Sequence, residues 1–264
     1  MRKTEHERRS PLKPQREQIM NNYKLTIQYD GGRYKGWQRL GDDKNTIQGK
    51  IEQSLTVLVG EPVEIVGCSR TDAGVHALGQ IANFKTKKPL TEEEIYTHLN
   101  HQLPQDISVI EVAIVPERFH ARYNAKEKTY LYKIWNGPIS NPFMRKYSMH
   151  VAENLDAALM KQAGHGFIGT HDFTAYANAK SKKKSAVRTI SAITIDAYDD
   201  FIDIRLTGDG FLYNMARKMV GTLIEVGLGA IDAAAIPQIL ASNERVQTGR
   251  MAEACGLYLE KVNY

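Results

Sequence analysis

Apolar and polar residues change period several times along this chain. From 23 to 30, "YKLTIQYD" alternates between the two kinds, the pattern of a strand with one buried face. Past a glycine-rich loop, Ile47, Ile51, Leu55 and Leu58 recur at helical spacing. Asn45 and Gln48 stand where a capping box would open that helix, and Gly60 where it would stop. "PVEIVG" at 62–67 and "GQIANFKT" at 79–86 read as two strands. Thr91 and Glu94 form a second capping box, for a helix ended by Pro104, and "ISVIEVAIV" at 107–115 is a further strand. The order β-α-β-β-α-β is that of a ferredoxin-like unit, an antiparallel sheet covered by two helices.

The second half repeats that order without visible sequence identity. "KTYLYKIW" is a strand and "ENLDAALMKQAG" a helix; "RTISAITIDAY" and "FIDIRLTG" are strands turning at Asp199-Asp200. "FLYNMARKMVGTLIEVG" is a long helix, "DAAAIPQILAS" a short one, and "GLYLEKVNY" the last strand. The expectation is an α+β fold of two ferredoxin-like halves, 22–116 and 117–264, with the boundary near Pro116. The opening "MRKTEHERRSPLKPQREQ" is charged, holds two prolines and lacks a hydrophobic period, so 1–21 reads as a disordered basic tail. Met20 directly precedes the first strand, and a start there would give a tidier protein.

Composition narrows the class. With 42% hydrophobic and 25% charged residues, the chain is of ordinary globular kind. It has neither an apolar run long enough for a membrane span nor a signal-peptide core, so the expected location is the cytoplasm. Cys68 and Cys255 lie far apart without CxxC spacing, which argues against a disulfide framework and a zinc knuckle. A formal charge of +5 allows a nucleic-acid partner but does not require one.

Candidate chemistry concentrates in "SRTDAGVHA" at 69–77, a charged loop between two strands. Gly74 and Gly79 let the backbone turn and bring the Asp72 carboxylate to the rim of a sheet, where it can act as nucleophile, base or ligand. The plain alternative is an aspartate capping its own turn. Cys68 with His76 has the composition of a thiol nucleophile and its base, although a cysteine ending an apolar strand is more simply a small hydrophobe. His165, His171 and Asp172 in "HGFIGTHD" offer metal donors without the helical register of a zinc site. "FHARYNAKEKTYLYKIW" mixes Arg122, Lys126 and Lys128 with Tyr123, Tyr130 and Tyr132, as suits phosphates and stacked bases; a tyrosine ladder on one strand face would look the same. "AKSKKKSAVR" adds a basic, solvated loop. On the long helix, Leu212, Met215, Met219 and Leu223 form a core stripe. Beside it run Tyr213, Arg217, Gly221 and Ile224, and a sheltered Arg217 wants a carboxylate partner.

Taken together, "YDGGRYKGWQ", "SRTDAGVHALGQIANF", "FHARYNAKEKTYLY", "GDGFLYNMARKMVGTLIEVG" and "GLYL" resemble the tRNA pseudouridine synthase A family, collinearly from about Tyr23 to the C-terminus. The resemblance implies one central, mostly antiparallel sheet, with helices on one face and the active-site cleft on the other, in a homodimer. It implies isomerisation of uridine to pseudouridine in the anticodon stem-loop of tRNA, without metal or organic cofactor. By motif match Asp72 is the nucleophile, Arg70 helps displace the target base, Tyr130 stacks on it and Arg217 pairs with Asp72. Phe119, His120, Ala121, Arg122 and Tyr123 belong to the tRNA-contacting surface. An arginine beside Asp72 is expected to lower its pKa. Whether the carboxylate attacks sugar or base stays open.

The chain departs from the family pattern in three places. Ser69 stands where glycine is usual, Gly32 where threonine is common, and Tyr123-Asn124 follow "FHAR" in place of Phe-Ser. These fit a divergent paralogue, so a synthase acting on ribosomal RNA is one alternative. A non-catalytic RNA-binding module is another, although it has no need of Arg70, Asp72 and Arg217 together.

Overall fold

The computed structural model describes residues 20–39, 41, 45–177 and 185–264. Residues 1–19 of the expected tail and most of "AKSKKKSAVR" thus lie outside the described residues, while Asn21, expected to belong to the tail, opens β1. The first half runs β1 (Asn21–Tyr29), α1 (Ile47–Val59), β2 (Ile65–Gly67), β3 (His76–Thr86), α2 (Glu92–Gln102) and β4 (Ile107–Val115). After it come β5 (Glu127–Trp135), β6 (Met149–His150), α3 (Ala157–His165), β7 (Gly169–Asp172), β8 (Val187–Tyr198) and β9 (Phe201–Gly208). The chain ends with α4 (Met215–Gly227), α5 (Ile236–Ser242) and β10 (Leu257–Asn263).

The strands form one sheet in the order β4-β1-β3-β10-β5-β9-β8-β7, with β2 beside β3 and β6 beside β5. The order β4-β1-β3-β2 in the first half has its counterpart in β10-β5-β9-β8 in the second, which is the ferredoxin-like pattern twice over. Most pairs are antiparallel. The halves meet where β10 runs parallel to β3, Tyr258 opposite His76 and Leu259 opposite Ala77. Farther along β3, Ile65 of β2 lies opposite Phe84, so β2 and β10 share one edge of β3 and diverge. The loop bearing Asp72 leaves the sheet at that fork.

Side-chain alternation decides what each face does. Tyr23, Leu25 and Ile27 on β1, and Tyr130, Tyr132 and Ile134 on β5, point to the buried face together with Ile202, Ile204 and Leu206 of β9. They join Ile47, Ile51 and Leu55 of α1, Ile95 and Leu99 of α2, Met160 of α3 and Met219 and Leu223 of α4 in one core. The register Tyr29–Ala77, Ala77–Leu259 and Leu259–Tyr130 carries this same face across the joint, so both helix pairs lie on one side. The opposite side is polar there: Lys133 bonds Asp203 at 3.2 Å and Arg205 bonds Glu260 at 3.1 Å. Among the described residues, no helix is long and apolar enough to cross a membrane.

Three local expectations need correction. α1 is capped by Thr46, whose hydroxyl accepts from the Gly49 N–H at 3.2 Å, because Thr46 and not Asn45 adopts the extended cap conformation next to the first helical residue. Gln48 bonds Glu52 and the Ile65 carbonyl instead. α4 starts at Met215, four residues later than its apolar pattern suggests, because Asn214 takes the left-handed conformation with φ 62°. Leu212 and Tyr213 therefore belong to a loop, with Tyr213 exposed. Finally, the "GTHD" of "HGFIGTHD" is strand β7, paired with β8. The second capping box and β4 stand as read, with Thr91 and Glu94 bonded reciprocally.

Candidate active site

Residues 68–75 are fixed by buried side chains that hold every second position. Gln80, fully buried on β3, accepts from the Ser69 N–H at 3.2 Å and donates to the Ser69 carbonyl at 2.7 Å. The Thr71 hydroxyl bonds the buried Tyr29 hydroxyl at 2.7 Å, and its carbonyl accepts from the Trp37 N–H at 3.0 Å. Gly36, at φ 98°, allows that approach, since a Cβ there would lie 2.7 Å from the Thr71 oxygen. With Ser69 and Thr71 held inward, Arg70 between them points out. It makes no hydrogen bond or ion pair among the described residues. Gly74, at φ 79°, then turns the chain so that the Val75 N–H meets the Asp72 carbonyl at 3.2 Å.

Asp72 lies on the wall of a cavity of about 430 Å³ whose lining includes Tyr130 and Arg217. Tyr130 reaches it from the helix-bearing face of β5, so the cavity opens on that face, beside the start of α4. The cleft expected on the opposite face is displaced because the buried alternation of β5 carries Tyr130 with Tyr132 and Ile134. The Tyr130 ring meets Phe211 edge-on at 5.0 Å, and its hydroxyl is 2.8 Å from the Ser69 oxygen. Burial pushes the phenol up to about 12, so it stays protonated at neutral pH.

Arg217 is clamped by the strap that precedes β10. Its Nε donates to the Ala252 carbonyl at 2.7 Å, and the Ala252 N–H donates back to the Arg217 carbonyl at 3.1 Å. The strap is itself anchored by the Tyr132 hydroxyl, which donates to the Glu253 carbonyl at 2.9 Å. Arg217 thus faces Asp72 at electrostatic range without an ion pair among the described residues. The Asp72 pKa moves up, not down as expected: burial disfavours the charged form more than Arg217 favours it. Among the described residues the Asp72 carboxylate makes no hydrogen bond, and it sits in a partly dry site.

Of the segment 119–123, Arg122 lines this cavity. Ala121 is fully buried, its N–H bonded to Asn83 and its carbonyl to the Tyr264 hydroxyl, so an RNA-contacting surface here excludes it. Phe119 packs on the Tyr264 ring, while His120 stacks on the exposed Tyr123 at 4.2 Å. The structure also brings in Lys128 and Arg188, which the sequence offers only within basic runs, and Phe211, which its apolar pattern assigns to a helix. Arg70, Arg122, Lys128, Arg188 and Arg217 line the same cavity as Asp72. Such a charge balance draws in a polyanion.

The rival sites dissolve into structural roles. His76 is buried between Tyr258 and Tyr147; its Nε2 bonds the Lys146 carbonyl and its Nδ1 accepts from the Gly31 N–H. Burial lowers its pKa, so the ring is neutral and its 3.1 Å approach to Asp30 is not a salt bridge. Cys68 packs with Ile81 and Ala121, and burial raises its pKa away from thiolate. His171 bonds the Ile168 carbonyl and Asp172 caps Thr174, and no group of three metal-donor side chains occurs among the described residues.

Comparison with known proteins identifies relatives over most of the chain. The family model described as tRNA pseudouridine synthase matches residues 25–124 and 163–264. The chain is 59% identical to a "tRNA pseudouridine synthase A 2" of Bacillus cereus and 61% identical to "tRNA pseudouridine synthase A" of Bacillus sp. (strain KSM-64). Each alignment spans 245 residues, 93% of this chain and all of the relative. A solved "Cbf5-Nop10-Gar1 Complex" aligns with TM-score 0.34 at 10% identity, over 89% of this chain and 57% of that one, too weakly to bear on the chemistry. Matched over most of its length by the family model and over the full length of its relatives, the chain belongs to the tRNA pseudouridine synthase family.

Proposed function

We propose that this synthase acts on uridines of the anticodon stem-loop of tRNA, with Asp72 as its nucleophile. The carrying observation is the Asp72 carboxylate itself, half-buried, without a hydrogen bond among the described residues, in a cation-lined cavity that Arg217 and Tyr130 also line. The Asp72 carboxylate bonds to the target nucleotide, at C1′ or at the base; the C1′–N1 bond breaks, the uracil turns, a C1′–C5 bond forms, the bond to Asp72 breaks, C5 loses its proton and N1 gains one. Atoms and electrons balance, so the reaction needs no oxidant or reductant.

Within that scheme each side chain has a task. The target nucleotide leaves its stack, and the exposed Arg70 fills the space behind it. Tyr130 holds the uracil by its face, which tolerates rotation better than directional hydrogen bonds do. Entry of the base displaces water and strengthens the Arg217 charge at Asp72. Arg122, Lys128 and Arg188 neutralise flanking phosphates. The enzyme works as a homodimer in the cytoplasm, in keeping with its family resemblance.

Pseudouridine mapping of total RNA from cells with and without the gene tests this reading. Expected is loss of pseudouridine from anticodon arms, restored by the wild-type gene and not by Asp72→Asn. Loss at a ribosomal site alone would refute the tRNA assignment; restoration by Asp72→Asn would refute the nucleophile.

A further inference from the structure

We propose that Ser69 is a positioning residue for the reaction, its hydroxyl fixing the Tyr130 phenol and hence the ring against which the base must turn. The inference rests on the reading of Asp72 and Tyr130 given above and goes beyond it. The Ser69 and Tyr130 oxygens lie 2.8 Å apart, and among the described residues the Tyr130 hydroxyl has no other hydrogen-bond partner. Tyr130 is only 7% exposed, so a phenol stripped of Ser69 would be left unsatisfied in the cavity wall.

Ser69 is itself immobile. Gln80 grips both its N–H and its carbonyl, at 3.2 and 2.7 Å, and Gln80 has no solvent exposure. The Gln80 amide also reaches toward the Tyr29 hydroxyl at 3.5 Å, and that hydroxyl holds Thr71. One buried polar cluster on β1 and β3 therefore sets the serine, the loop carrying Asp72 and, through the serine, a ring that rises from the other half of the molecule. The Ser69–Tyr130 bond spans the joint between β3, β10 and β5. It ties the nucleophile's loop to the stacking wall, so the distance between them does not depend on how rigidly the halves dock. Phe211 limits the ring from a second side, edge-on at 5.0 Å. The hydroxyl bond supplies the remaining restraint, against tilting within the plane that Phe211 leaves free.

The test is single-turnover pseudouridine formation on a tRNA transcript by wild type, Ser69→Ala, Ser69→Thr, Tyr130→Phe and the Ser69→Ala/Tyr130→Phe double variant, with tRNA Kd by filter binding and a melting temperature for each. Ser69→Ala should slow the chemical step about 3- to 10-fold, the worth of one neutral hydrogen bond, with Kd within about twofold of wild type. Ser69→Thr, which keeps the hydroxyl, should recover most of the rate. The double variant should be no slower than Tyr130→Phe alone, because both changes remove the same bond. An unchanged rate in Ser69→Ala, or losses that multiply in the double variant, overturns the proposal. Should Ser69→Ala fail to fold, Tyr130→Phe breaks the bond from the other side, and a wild-type rate and melting temperature there overturn it equally. Failure of the underlying reading looks different: wild type inactive on the transcript, or Asp72→Asn fully active, whatever Ser69 does.

Discussion

Gly221→Ala sets helix propensity against packing, and the structure says which prevails. Gly221 sits in the middle of α4, where alanine alone would add about 1 kcal/mol of stability. A Cβ at this position, however, would lie 1.6 Å from the Arg250 carbonyl oxygen and 2.8 Å from its carbon. Ordinary contact needs about 3.5 Å, so the strap must retreat by roughly 2 Å. That strap is held to α4 by the Gly249 N–H on the Thr222 hydroxyl at 3.2 Å and by the paired bonds of Ala252 with Arg217 at 3.1 and 2.7 Å. Losing three bonds of about 1 kcal/mol each, with overpacking of about 1–3 kcal/mol, outweighs the helix gain and leaves a net loss of about 3–5 kcal/mol. Arg217 loses its anchor in the same movement, and a displacement of about 1 Å at a reacting centre can cost about 100-fold in rate. Urea unfolding and single-turnover tRNA modification measure the two effects. Gly164→Ala in α3 is the control, since its nearest neighbour is the Ile193 methyl at 3.3 Å, a side-chain atom that can yield. A Gly221→Ala protein as stable and as fast as wild type would refute the reasoning.

Asp72→Asn should abolish turnover and raise the melting temperature at pH 7. Because burial holds the folded Asp72 pKa above its ordinary value, the stability this group contributes is present while it is protonated and is lost as pH rises through the folded pKa. The gain from Asn should therefore fade in acid, and a lower melting temperature at pH 7 would count against it. By the same sign, the acid limb of kcat/KM, which reports the free enzyme, should fall above the ordinary carboxylate value of 3.8. Thr46→Ala should cost about 1 kcal/mol in urea unfolding and leave turnover unchanged, as loss of one helix cap does. Arg188→Gln should reduce the salt slope of log Kd for tRNA by about 1, against no change if Arg188 meets no phosphate.

What was legible in the sequence follows from which atoms carry the information. Strands and helix faces announce themselves through side chains, so β4 and the Thr91 cap of α2 match their expected places. Thr46 and Asn45 have equal side-chain credentials as caps, and backbone angles alone decide between them. The apolar pattern already starts at Phe211 and runs through Leu212 and Tyr213, and nothing in it reveals that Asn214 is left-handed and that the helix begins only after it.

The site divides along the same line. Asp72, Tyr130 and Arg217 are visible as chemical types, and the cavity brings them together. Their restraints come largely from carbonyls and amides: Ala252 on Arg217, Glu253 on Tyr132, the Ser69 backbone on Gln80. Every residue offers those atoms, so no residue type marks them. The direction of the Asp72 pKa shift belongs to this class too, since it is a contest between burial and an arginine charge that sequence separation cannot rank. An arginine fastened to a backbone carbonyl is spared collapsing onto the nearest carboxylate. Among the described residues that tether holds Arg217 close while leaving Asp72 free of a salt bridge, whose breaking would, on the proposed mechanism, add to the barrier to attack.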